Sequence, residues 1–460
     1  MANAQKAGPL RTTGQARPPS EGDVNLSAHR RAWAKSYLDD DTQRLLAQDA
    51  RYFLHQSLST PCLNGLRSCN GATITDWQGR ELLDFHGNSV HQVGFGNPRV
   101  IEAISTQLAN LSFCPRRYTN VPAIELAKKL TELAPGDLKR VLFAPGGAEA
   151  IGMAIKLARV ATGRHKMVSM WDSFHGASLD TISVGGEAMF RKDIGPLLPG
   201  CEHVPPADPR HCPFGCAGSC SLKCADYIEY VLEKEGDVAA VIGETIRNVP
   251  FIPPPDYWKR IRAACDKHGA LLILDEIPTG LGRSGRMFAC EHYDVVPDML
   301  VLGKGLGGGI MPLAALLARE NLNVAAEKAL GHYTHEKNPV ACAAGLATLG
   351  YIESEHLVDH ARAMGDYALE GLRDMMSRHG LIGDVRGLGL LMGMEIVTDR
   401  QTMARATDEA ERVMYRALSL GLNFKVTMGN ILTLAPALTV TRTQMDKALA
   451  ILDRSIAEME

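Results

Sequence analysis

Short apolar runs punctuate the middle of the chain: RVLFA (140–144), KMVSM (166–170), VAAVIGE (238–244), ALLILDE (270–276) and DMLVLGK (298–304). The segments between them carry apolar residues at helical spacing, as with Ile151, Ala154, Ile155 and Ala158. Strands of this length alternating with helices predict a mostly parallel sheet covered by helices on both faces, an α/β fold. Ahead of this region, 28–54 reads as a charged helical arm, and ATITDWQGRELLDF (72–85) as two short strands around the turn pair Gln78-Gly79. After about Gly345 the pattern changes to helices with a few strands, GLGLLMGMEIV and ILTLAPAL among them. The expected organisation is a leader over 1–27, an arm and part of a small domain over 28–84, a large domain over 85–344 and a small α+β domain over 345–460. No internal repeat is visible.

Composition narrows the function classes. With 460 residues the chain is long for a single small core, and 45% hydrophobic with 22% charged residues is ordinary for a globular protein. A net charge of −3 gives no nucleic-acid signature, and the apolar runs are too short to span a bilayer. The stretch 1–27 lacks the apolar segment of a signal peptide and reads as disordered. The expectation is a cytoplasmic protein whose 11 cysteines are reduced.

Three stretches carry candidate chemistry. LLILDEIPTGLGRSG (271–285) runs a buried-looking strand into Asp275 and Glu276, and a carboxylate there is costly without a cationic partner. A surface acid capping the next turn is the alternative. In DMLVLGKGLGGGIMPLAAL (298–316), Lys304 follows an apolar run; lost hydration lowers a lysine's pKa and makes it a usable base or nucleophile. Gly303, Gly305 and Gly308 match a dinucleotide fingerprint literally, but Pro312 stands where the next helix should run. An ordinary turn lysine is the other alternative. In FAPGGAEA (143–150) glycines end a strand and open a helix, whose free N–H groups suit an anion. A phosphate, a cationic ring atom and a carbonyl that a lysine can capture belong together in pyridoxal 5′-phosphate, with Asp275 facing the pyridine nitrogen.

These motifs, in this order, resemble the class III aminotransferases, pyridoxal-phosphate enzymes of fold type I, from about Ala72 to the end. The resemblance implies a large domain with its sheet between helices, and a small α+β domain built from both ends of the chain. It assigns Lys304 and Asp275 as the catalytic pair and places Gly147 and Ala148 on the phosphate. Phe174 would stack on the ring, followed by His175, with Ile277 packing on it and Glu244 nearby. HYTHEKNP resembles the segment that reaches the other subunit's phosphate through Thr334, implying a homodimer with composite sites.

Departures from the family pattern bear on the substrate. Pro278 replaces a glutamine, Thr245 replaces a proline, and Thr433 stands where the family often has a carboxylate-gripping arginine. Threonine cannot form that bidentate clamp. In its stead the chain offers His86, Asn88 and His91 in DFHGNSVHQ, with Arg117 and Arg247 as further cations, which suggests an anionic small-molecule amino substrate. His86 and His91 as satisfied packing residues are the alternative. DFHGNSVHQ, DEIPTGLGR and THEKNP also resemble a narrower subgroup, the (R)-1-hydroxy-2-aminoethylphosphonate ammonia-lyases of phosphonate catabolism. An amine transaminase using a 2-oxo acid is the second reading, and an inactive regulatory or zinc-holding subunit a distant third. Cys212, Cys216, Cys220 and Cys224 recur every four residues, but Pro213 and Gly215 argue for a loop, and no metal is expected.

Overall fold

The computed structural model describes residues 26–216 and 220–460; most of the expected leader lies outside them. A seven-stranded sheet forms the centre, in the order Leu138–Ala144, Ala314–Arg319, Met299–Leu302, Leu271–Asp275, Val238–Glu244, Lys166–Met170, Cys201–Val204. Only Ala314–Arg319 runs against its neighbours; the other six point the same way. All five apolar runs are strands of this sheet. The two added strands are the short edge strand Cys201–Val204 and the antiparallel Ala314–Arg319.

The central strands are apolar on both faces because helices cover both. Leu272, Ile273 and Leu274 are all fully buried, as are Leu300 and Val301 beside them. Such runs are the mark of a parallel sheet between helical layers. One covering helix, Gly147–Thr162, buries Ile151, Ala154, Ile155 and Ala158, the residues whose spacing announced it, and ends on Gly163 in the left-handed conformation.

Two smaller sheets flank the main one. Leu66–Asn70, Thr73–Asp76 and Glu81–Asp84 form a meander completed by Leu422–Asn423 in parallel, so segments distant in sequence share one sheet. Gly79 takes φ +86° at the expected turn, a conformation that glycine adopts at little cost. Ile382–Leu388, Leu391–Asp399, Ile431–Leu434 and Lys425–Thr427 make the second, antiparallel sheet, with Ala404–Arg405 beside it. The fully buried Arg283 fastens the glycine loop of 280–285 to this part, donating to the carbonyls of Leu390 and Pro436. Among the described residues, no helix is long and apolar enough to cross a membrane.

Candidate active site

Strand ends build the site. Leu138–Ala144, Lys166–Met170, Val238–Glu244, Leu271–Asp275 and Met299–Leu302 all finish at one edge of the sheet. Past their carboxyl ends stand Gly147, Phe174, Glu244, Asp275 and Lys304, lining one cavity of about 200 Å³. Crevices outside the carboxyl ends of parallel strands are where open α/β sheets bind ligands.

The two carboxylates of the Asp-Glu pair go opposite ways, as successive residues leaving a strand do. Asp275 is 2% exposed and faces the cavity; its Oδ1 accepts the Ile277 N–H at 3.0 Å and its Oδ2 meets His175 Nδ1 at 2.8 Å. With Nδ1–H donated to the carboxylate, the other ring nitrogen of His175 is Nε2, which is buried and has no hydrogen-bond partner among the described residues. Glu276 turns into the protein. Its carboxylate receives the Thr245 hydroxyl at 2.9 Å and the N–H groups of Ala289 and Cys290 at 2.6 and 2.7 Å. Burial pushes its pKa up to about 7 against the pull of those donors. Thr245 therefore orders the loop after the strand.

Glycines shape the cavity. A Cβ on Gly147 would meet Ile277 Cδ1 at 2.7 Å, and one on Gly303 would meet Ile277 Cγ2 at 3.2 Å. Ile277 is thus the packed wall between the helix start and the lysine. The helix Gly147–Thr162 opens on Gly146 without a side-chain cap, which leaves its first N–H groups available to an anion. Lys304 is half-buried with φ +45°, a left-handed conformation uncommon for a side-chain-bearing residue and typical of functional positions. Phe174 packs its ring on Phe190, with centroids 4.6 Å apart, and its N–H points to Glu244 Oε2 at 3.4 Å.

The structure thus gathers Gly147, Ala148, Phe174, His175, Glu244, Asp275, Ile277 and Lys304 around one cavity, together with Pro278. Asn248 lines it as well, and no sequence signal marked it: a lone polar residue after a strand reads as loop. The other expected residues lie elsewhere. Arg247 is buried behind Glu244, 3.4 Å from its carboxylate and over the Phe251 ring. Thr334 is exposed in the turn before the helix Pro339–Ser354, and Arg117 is exposed. His86 and Asn88 line a neighbouring cavity instead. His91 is a correction to the substrate set. It is fully buried, stacked on Phe95 and bonded to the Asp84 carbonyl at 3.2 Å, and burial pushes its pKa down to about 3. It is a neutral packing residue. The cysteine segment is loop as far as Ser221 among the described residues; the helix Lys223–Glu235 holds only Cys224.

The family model for class III aminotransferases matches residues 58–456. The chain belongs to the class III aminotransferase family. It is 49% identical, over 96% of its length and 95% of the relative's, to an (R)-1-hydroxy-2-aminoethylphosphonate ammonia-lyase of Vibrio splendidus. A leucine/methionine racemase of Thermococcus litoralis is 37% identical over 85% of the chain and 89% of its own length. Among solved structures, the ω-transaminase of Pseudomonas jessenii in complex with PMP superposes with a TM-score of 0.85 at 28% identity, covering 90% of this chain and 98% of that one. A Bacillus anthracis aminotransferase superposes at 0.84 with 31% identity, covering 92% and 99%. The chain is an enzyme, and pyridoxal phosphate, expected from the sequence, is the cofactor of its family.

Proposed function

We propose that the protein is a pyridoxal-phosphate-dependent ammonia-lyase that converts (R)-1-hydroxy-2-aminoethylphosphonate to phosphonoacetaldehyde and ammonia. The observation that carries the reading is the meeting of Lys304 and Asp275 on one cavity in a chain so similar to an enzyme of that activity.

The cavity fits the cofactor by its chemistry. An amine and a buried carboxylate share it, a helix start with uncapped N–H groups opens onto it, and aromatic and aliphatic walls close it. When bound, the cofactor supplies an electron-withdrawing ring that stabilises negative charge at the amino carbon of the substrate. Gly147 and Ala148 would hold its phosphate, and Asp275 its ring nitrogen. Phe174 and Ile277 would pack against the ring, while His175 fixes Asp275. Lys304 would hold the cofactor when no substrate is present, and its freed amine would take the proton from the amino carbon of the substrate. Hydroxide would leave from the neighbouring carbon as that proton departs, and that carbon would take up a proton in its place. Water adding at the amino carbon would then displace ammonia and leave the aldehyde, which balances the atoms.

Thr433 supports elimination over transamination. Its hydroxyl is spent on Thr427 at 2.8 Å, inside the sheet and 1% exposed, so it grips no keto-acid acceptor. Transamination is the second reading, favoured by the likeness to solved transaminases. As in the family, we place two copies together, with Thr334 of each completing the phosphate site of the other. Ammonia assayed with the hydroxylated aminophosphonate alone separates the readings. Release without any 2-oxo acid supports the lyase; turnover that requires pyruvate or 2-oxoglutarate overturns it.

A further inference from the structure

The family's arginine clamp is missing, yet the proposed substrate carries a phosphonate. The structure holds a second cavity of about 440 Å³, lined by His86, Gly87, Asn88, Val90 and Lys425 among others. It adjoins the cofactor cavity across one short turn. Gly87 and Asn88 line the second cavity, while the next residue, Ser89, donates to Oδ1 of Asn248 at 3.3 Å, and Asn248 lines the first. The loop after Lys304 presses on the same turn: a Cβ on Gly309 would meet the Val90 carbonyl at 3.0 Å. A substrate with only two carbons between amine and phosphorus needs its anion site this close.

The turn is conformationally costly. Gly87, Asn88 and Ser89 have φ of +46°, +46° and +57°, and two of the three bear side chains. Left-handed backbone of this kind persists where surrounding structure imposes it, and it concentrates at ligand sites. It sets the wall between the two cavities.

Lys425 brings the charge. It is 7% exposed, in the strand Lys425–Thr427, directly across the ladder from Thr433. The position expected to hold a cation thus holds threonine, and the residue opposite it on the adjacent strand is a lysine facing the cavity. Asp84, which also lines the cavity, is engaged through Oδ1, which receives the N–H groups of His86 and Gly87 and the amide of Asn423, the last at 2.8 Å. His86 accepts the Asn88 N–H on Nδ1, which puts a donor proton on Nε2.

We infer that this cavity is the subsite for the anionic end of the substrate, with Lys425 as the charge that receives a phosphonate and His86 as a second donor. The inference rests on the reading that the substrate is an aminophosphonate. An ammonium is a compact point charge, which suits a tetrahedral dianion better than the planar carboxylate that an arginine fork matches.

The test measures binding by calorimetry on the cofactor-loaded protein. The probes are 2-aminoethylphosphonate and, as its counterpart without the anion, propylamine; neither has a hydroxyl to eliminate. Lys425→Met is expected to weaken the phosphonate by about tenfold to a hundredfold and leave propylamine unchanged. Lys425→Arg should restore most of the loss. Unchanged phosphonate binding in Lys425→Met, equal loss of both probes, or no preference for the phosphonate in the unaltered protein each overturns the inference. Because binding is read without turnover, a protein that releases no ammonia yet shows the Lys425-dependent preference would retain the subsite and lose only the lyase reading.

Discussion

Asp275 and His91 show what a single buried group can do in opposite directions. Asp275 is useful as a carboxylate aimed into the cavity, where the Ile277 N–H and His175 Nδ1 hold it in place. Asparagine keeps the shape and one acceptor but removes the charge. Asp275→Asn should therefore fold normally and lose activity by about two to three orders of magnitude, measured as kcat per bound cofactor. His91 works by being neutral. In the folded protein it resists protonation until about pH 3, whereas an unfolded chain takes up that proton near its ordinary value of 6.5. Between those values the unfolded state binds more protons, so this residue's share of stability falls as pH drops. From pH 6.5 to 5 the unaltered protein should lose about 2 kcal/mol more than His91→Phe, read from urea unfolding at each pH. Equal losses would show that His91 is protonated in the fold. The sequence did not distinguish these two roles, since a histidine among polar residues looks the same whether it faces a ligand or packs on Phe95.

At the scale of elements, the period of the apolar pattern was legible and the pairings were not. The runs at 238–244, 270–276 and 298–304 read as buried strands because both faces are apolar, and they became the centre of the sheet. Their ends carried the chemistry, so Asp275, Glu244 and Lys304 were legible too. Ala314–Arg319 was missed because it follows a glycine-rich loop and runs antiparallel, where the alternation predicts a crossover helix. The Lys425 ladder was missed for a different reason: a lysine between Phe424 and Val426 gives no sign of which face it lies on, and only the register against Thr433 reveals it. The cysteine-bearing loop is tied to the second small sheet by side chains far apart in sequence. His211 Nε2 and Arg386 Nη1 each lie 2.8 Å from the fully buried Glu395 carboxylate, whose pKa they hold down to about 2 despite burial. Removing that carboxylate leaves Arg386 the Asp384 carboxylate, 2.6 Å from Nη1, and takes from His211 its acceptor. Glu395→Ala should cost about 1–3 kcal/mol in urea unfolding, above a surface pair.

The whole molecule brings distant parts of the chain to bear on one place. Strands 66–84 pair with Leu422–Asn423, Arg283 fastens the glycine loop to the C-terminal part, and Lys425 reaches a cavity whose other wall is the turn at 87–89. Asp275 and Lys304 meet only because Leu271–Asp275 and Met299–Leu302 are adjacent parallel strands that end at the same edge. The account stands or falls on Lys304 being the lysine that carries the cofactor. Borohydride makes a link between a lysine amine and an aldehyde permanent, so the reduced protein can be digested and its peptides weighed. The mass of the reduced cofactor should appear on the peptide containing Lys304 and vanish in Lys304→Ala. That mass on a different lysine, or on none in a protein expressed with the cofactor in excess, would contradict the assignment of this cavity.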